Sequence, residues 1–409
     1  MLQTKRTRGH RFAAVAIVAT GLFIAACGSD NKSGGSATTQ PAAANSTAST
    51  TGGSSATGDS TAGTTGGSSA ASGDPASVVA QYTKVPTEIV QTEALTKKPD
   101  PKKVTFIVCA DPSCVPLADY LKEAVTALGW TFTSINAPAT DFGSAVQQAI
   151  DTKPDFIAGT GTDAAAFQPQ YDAMKAAGIP YFTCYATDVP GGTANNLYAD
   201  CYDSSAAQQY SKVLVDWIVN DSAGKANALI VNLPAFPILS AQADGAKAAF
   251  KDCSGCKVQS LDLTLDDLTS GGTANAIISF LQSNPDIDYL YLTYKGFEPG
   301  LPEALASAGL ADKVKIAGTQ AAQPQMQAII DGTEDVWTSL PEEYSMWSLA
   351  DQMARVATGD WTTANERTNA VPPFYLVDTA AAAKELVDLK DGWPGPEGFK
   401  DSFKKLWGV

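Results

Sequence analysis

The 409-residue chain is 44% hydrophobic, carries 43 Asp and Glu against 28 Lys and Arg for a net charge of −15, and holds one histidine, His10. That apolar content can fill a core and excludes global disorder, while the acidity argues against nucleic-acid binding, which needs clustered positive charge. With residues 1–26 removed no histidine is left, so Ser-His-Asp and Cys-His catalysis and His-ligated metal sites are excluded together.

Residues 1–26 read as a secretory leader. Lys5, Arg6, Arg8 and Arg11 precede or begin the apolar run Phe12–Ala26, which is short of the roughly 20 residues a membrane span needs. Residues 27–76 are dominated by Gly, Ser, Thr and Ala. Such a segment cannot bury enough apolar surface to offset its ordering entropy, and it reads as a flexible linker. Asn45-Ser46-Thr47 matches a glycosylation sequon.

From residue 103 short β-rich runs alternate with amphipathic helices. Strands are predicted over 104–109, 130–135, 156–158 and 179–184, with helices over 117–128, 142–151 and 164–177. The pattern restarts with helices at 206–219, 242–250, 274–282 and 302–308, and strands at 228–232, 257–261, 289–292 and 314–317. The Pro-Asp pairs at 154–155 and 285–286 stand 131 residues apart, as do the helix-closing Gly178 and Gly309. The fold class that follows is α/β, with two similar doubly wound parallel-sheet lobes. A crevice at the carboxyl ends of the strands is the default ligand site.

Six cysteines follow Cys27: Cys109, Cys114, Cys184, Cys201, Cys253 and Cys256. They allow 15 pairings. Nearest-neighbour pairing is the simplest, and an exported chain meets oxidising conditions. Cys253-Ser254-Gly255-Cys256 is a CxxC, but it lacks a second CxxC for zinc and does not open a helix as a redox motif does. No metal and no cofactor are expected.

Leu128-Gly129-Trp130, Lys153-Pro154-Asp155-Phe156-Ile157, Ala176-Ala177-Gly178-Ile179-Pro180 and Asp244-Gly245-Ala246-Lys247-Ala248-Ala249-Phe250 occur in that order. Over roughly residues 100–380 this pattern resembles the type I periplasmic solute-binding proteins, in particular the ribose-binding-like branch that feeds ABC importers. Ile24-Ala25-Ala26-Cys27 likewise resembles a bacterial lipobox, which implies a lipid anchor at Cys27 on an extracytoplasmic protein. The resemblance implies three crossings between lobes, near residues 200–202, 339–341 and 373–375. The expected division is then a leader (1–26), a linker (27–76), an amino-terminal lobe (77–200 and 342–373), and a carboxyl-terminal lobe with its tail (201–341 and 374–409). A monomeric receptor without catalytic activity, partnered by an ABC permease, is implied. A sensor for a signalling partner in the membrane is the alternative.

Sugar binders of this family bracket hydroxyls with Asp, Arg and Asn at strand ends. The matching positions here hold Tyr185, Phe236 with Ser240, Tyr294 and Gln320, while the first-strand loop offers Asp111 and Ser113 and the crossing region offers Trp337, Ser339 and Glu343. Aromatic walls with a few hydroxyls and amides suit a neutral, partly apolar or aromatic molecule, with a sugar as the alternative. The main enzymatic rival is the GxGxxA match Gly159-Thr160-Gly161-Thr162-Asp163-Ala164, which follows a strand and precedes a helix. It follows the third strand of its unit instead of the first, and no acidic residue closes the next strand.

Overall fold

The computed structural model describes residues 73–138 and 141–409. The leader, Cys27, the sequon and nearly all of the linker lie outside the described residues. Residues 73–409 fall within one compact unit that holds two sheets.

The first sheet contains β1 (Lys103–Val108), β2 (Thr131–Asn136), β3 (Phe156–Thr160), β4 (Tyr181–Cys184) and β5 (Leu197–Asp200). Their order is β2-β1-β3-β4-β5, all parallel. The predicted strands account for four of the five. Strand β5 is missed because Leu-Tyr-Ala-Asp is too short to show a period. β1 and β3 are buried on both faces, as central parallel strands must be, while the edge strand β2 alternates between half-buried and exposed.

The second sheet contains β6 (Asn227–Asn232), β7 (Lys257–Asp262), β8 (Tyr289–Leu292), β9 (Lys315–Gly318), β10 (Val336–Ser339) and β11 (Tyr375–Val377), in the order β11-β10-β9-β8-β6-β7. Only β11 runs antiparallel. One device sets the register in both sheets. The carboxylate of Asp155 accepts from the Lys103 N–H at 2.8 Å, Asp288 from the Asn227 N–H at 2.7 Å and Asp335 from the Ile316 N–H at 2.8 Å. Each acid precedes a strand and ties down the start of its neighbour, so the functional counterpart of Asp155 is Asp288 and not Asp286.

Helix boundaries follow capping chemistry. Asp141 and Asp203 accept from the first free N–H groups of Phe142–Asp151 and Ser204–Asp221. Gly178, at φ 69°, closes Gln168–Ala177 in the left-handed conformation that glycine adopts without strain.

After β10 the chain enters helix Glu342–Thr358, which packs into the core of the first lobe beside Cys114–Ala127. Helix Thr363–Ala370 follows against β5, and β11 then joins the second sheet. Two segments lie apart from the expected division. Helix Pro75–Tyr82 rests on the second lobe: Val78 is buried in its core and the Tyr82 ring stands 4.8 Å from Phe374. Helix Phe399–Trp407, expected on the outside of the second lobe, completes the core of the first. Phe399, Phe403 and Trp407 are buried there, and Trp407 stacks on Trp347 at 5.4 Å. The physical reason is the apolar face of this helix, which matches the aromatic face of Glu342–Thr358.

The six cysteines pair as Cys109–Cys114, Cys184–Cys201 and Cys253–Cys256, with Cα separations of 5.7, 4.6 and 5.4 Å. Among the described residues no helix is long and apolar enough to cross a membrane, and no group of His, Cys, Asp and Glu is arranged to hold a metal ion.

Candidate functional site

The carboxyl ends of the strands of both sheets open into one cleft of about 1770 Å³. The first lobe contributes the loop after β1 (residues 109–113), the loop after β3 (161–163) and Phe142. The second contributes Phe236 after β6, Tyr294, Lys295, Gly296 and Glu298 after β8, and Leu265 and Leu268. Beneath it a narrow floor of about 80 Å³ is lined by Leu117, Thr160, Tyr185, Ile238, Leu239, Gln320 and Glu342, among others. Small-molecule sites usually span about 300–1,000 Å³, so this cleft is wider than a small ligand needs.

The floor is bridged from lobe to lobe. The Tyr294 hydroxyl lies 3.2 Å from a carboxylate oxygen of Asp111 and 3.1 Å from the Ser113 hydroxyl. Burial, and then the Asp111 charge, push the Tyr294 phenol upward, so it is neutral and can donate. The Cys109–Cys114 bridge closes the short loop that presents Asp111 and Ser113. Lys295 meets Glu342 at 2.7 Å, with both side chains mostly buried.

Tyr185 and Gln320 lie just after β4 and β9 in left-handed backbone, at φ 60° and 69°. For residues with a side chain this conformation costs on the order of 1–3 kcal/mol and concentrates at ligand-binding positions. Among the described residues the buried hydroxyl of Tyr185 has no hydrogen-bond partner.

Of the residues singled out from sequence, Asp111, Ser113, Tyr185, Phe236, Tyr294 and Gln320 line the cleft or its floor. Three do not. Trp337 is fully buried on β10; its indole donates to Glu334 at 2.6 Å, and its ring covers Gly318 so closely that a Cβ there would collide with it. The Ser339 hydroxyl donates to the Tyr375 carbonyl at 3.1 Å and accepts from the Tyr375 N–H at 3.2 Å, which pins β11. Ser240 lies in helix Pro237–Phe250 outside the cleft lining, 3.5 Å from the Asn232 amide. Position matching fails for all three because it cannot see which way a side chain points.

Glu342, Thr160 and Phe142 were missed as site residues. At the second crossing Glu342 faces the floor, while Glu343 points away to an ion pair with Lys400 at 2.6 Å. The signal available was the helix beginning at Glu342, which fixes the faces of both glutamates.

The GxGxxA loop is closed to a pyrophosphate. The Ala164 N–H donates to Asp188 at 2.6 Å, the Gly161 N–H donates to the Cys184 carbonyl, and Asp163 accepts from the Thr187 N–H at 2.7 Å. Two carboxylates thus stand at the turn where phosphate oxygens would need free N–H donors.

Two doubly wound lobes, joined by crossing segments around an interlobe cleft, define a receptor that encloses a solute. The chain belongs to the periplasmic binding protein domain family, whose description it matches over residues 105–360, and it has the type I, ribose-binding-like fold. That family comprises binding proteins, not enzymes. Solved structures with this fold include a solute-binding protein of an ABC transporter from Agrobacterium vitis with bound allitol (18% identity, 70% of this chain and 97% of that one, TM-score 0.59). Another is from Bacillus halodurans with bound myo-inositol (18%, 72% and 98%, TM-score 0.58). A third, from Thermotoga lettingae, is a 5-methylthioribose transporter solute-binding protein in complex with 5-methylthioribose (13%, 76% and 99%, TM-score 0.59). No curated protein sequence matches the chain.

Proposed function

We propose that this chain is a lipid-anchored extracytoplasmic receptor that captures a small, uncharged, partly apolar or aromatic molecule between its lobes and delivers it to an ABC importer. The floor of the cleft carries this reading. Tyr185, Phe236 and Tyr294, with Leu117, Ile238 and Leu239, surround only a few polar groups, among them Asp111, Ser113, Thr160 and Gln320. Aromatic residues bring large apolar area with one polar handle each, whereas bare polyols need more charge-assisted hydrogen bonds. Ligand contact with both lobes favours the closed state by the contacts it adds there.

A sugar is the second reading. It is supported by Asp111 and Gln320 at strand ends and by what the neighbours from Agrobacterium, Bacillus and Thermotoga hold. A sugar bearing an apolar substituent satisfies both readings. A thermal-shift screen against polyols and sugars in one panel, and neutral aromatic, terpenoid and sterol-derived compounds in another, tests this. A ligand at 100 times its Kd adds about 2.7 kcal/mol of stability. Hits confined to unsubstituted sugars sink the apolar reading. The anchor is tested by Cys27→Ser, which should release the protein from the membrane fraction.

A further inference from the structure

We infer that the Lys295–Glu342 pair makes the cleft selective against anionic ligands, a step that rests on the uncharged-ligand reading above and names its mechanism. Among the described residues lining the cleft and its floor there are six carboxylates, Asp111, Asp141, Asp163, Asp266, Glu298 and Glu342, and one ammonium, Lys295. Asp111, Asp141, Asp163 and Glu298 take hydrogen bonds from neutral donors: the Ser113, Ser144 and Thr187 N–H groups and the Gln325 amide. None of these four forms an ion pair among the described residues. Lys295 therefore stands as the group that could receive a carboxylate or phosphate on a ligand, and Glu342 already occupies it at 2.7 Å.

The pair is built to persist. Both side chains are mostly withdrawn from water, at 15% and 10% exposure, so salt screens it less than a surface pair. Glu342 is the first residue of helix Glu342–Thr358, where the positive end of the helix dipole favours a carboxylate. Lys295 comes from the loop after β8 in the second lobe, so the pair also spans the lobes. An anionic ligand must share or displace this contact, and it meets the Glu342 and Asp111 carboxylates that line the same floor. An uncharged ligand leaves the contact intact. Selectivity of this kind comes from a built-in repulsive element as much as from attraction.

The test takes two frames, a hexose and a benzyl group, each in uncharged, carboxylate and ammonium forms, and measures their binding to the full chain and two variants. Wild-type protein should bind each carboxylate form at least tenfold more weakly than the uncharged form of the same frame. Glu342→Gln frees Lys295 and should tighten carboxylate binding at least tenfold relative to wild type. Lys295→Met should shift preference toward the ammonium form. Carboxylate binding by wild type as tight as that of the uncharged form, or no gain in Glu342→Gln on a frame whose uncharged form binds, overturns the inference. Failure of both uncharged frames counts against the ligand reading alone. A second measurement needs no ligand: the rate of Lys295 acetylation followed by mass spectrometry. Protection in wild type, lifted several-fold in Glu342→Gln, supports the pair; equal rates overturn it.

Discussion

The two lobes build the same kind of sheet but complete their cores by different routes. The second lobe fills its core mainly from residues 204–340, with β11, Ala383 and Trp393 added late. The first lobe begins at β1 yet leaves one face of its sheet open until Glu342–Thr358 and Phe399–Trp407 arrive from far along the chain. Its late helices also bring a buried polar network. Arg355 pairs with Asp351 at 2.7 Å and donates to the Glu93 carbonyl, and the Trp407 indole donates to Asp351 at 2.9 Å. A sheet lobe can thus be closed by sequence-local helices or by borrowed ones, and the borrowed kind depends on long-range contacts.

That contrast can be broken most forcefully at Trp407. Trp407→Ala removes a buried ring and an indole donor, and should destabilise the first lobe by about 3–5 kcal/mol. Calorimetry should then resolve an early transition for the first lobe and a late one for the second; one jointly shifted transition would show that the lobes unfold as a unit. Next in size is the Cys184–Cys201 bridge, which ties the end of β4 to the first crossing. Replacing both cysteines by Ala should cost about 2–4 kcal/mol, with ligand affinity falling alongside. Unchanged affinity would separate that bridge from the hinge.

The pH dependence should differ between lobes. Burial, then the Glu298 charge, raise Glu334 of the second lobe from an ordinary 4.5 to about 8. Burial likewise raises Glu366, on the helix beside β5, to about 7, although the Asp200 N–H donates to it. Within these windows the folded state holds a proton that the unfolded state has released. Stability therefore falls as pH rises from about 4.5, through about 7 for Glu366 and about 8 for Glu334. Glu366→Gln should flatten the slope in the first lobe and Glu334→Gln in the second, as read by denaturant titration across pH. The smallest effects are expected in the cleft. Tyr294→Phe loses a bridging hydroxyl and should shift the ligand-free lobe equilibrium by about 0.5–1.5 kcal/mol, measurable by interlobe distance. Trp337→Phe should lower stability without changing ligand affinity.

Much of this was legible because the signals were local. Pro-Asp lead-ins and glycine stops marked the alternating elements, and the repeat of 131 residues announced two lobes. Strands β5, β10 and β11 escaped notice because three or four residues carry no period and, unlike the equally short β8, none has a Pro-Asp lead-in to announce it. The lining of the cleft was partly readable for a related reason. Residues placed directly at strand ends, such as Tyr185, Tyr294 and Gln320, line the cleft, whereas Trp337 and Ser339 lie within β10 and face elsewhere. The seat of Phe399–Trp407 was hidden, since an amphipathic helix declares that it has an apolar face but not which partner will cover it.

The borrowed helix also sets an order on biosynthesis. While a ribosome is still short of residue 399, the second lobe has nearly all of its core, but the first exposes the faces of Trp347 and Tyr344 that Trp407 and Phe403 later cover. The half made first is therefore the half finished last. The first lobe thus holds apolar faces uncovered until synthesis is almost complete, the stage at which an unfinished domain is most open to misassembly.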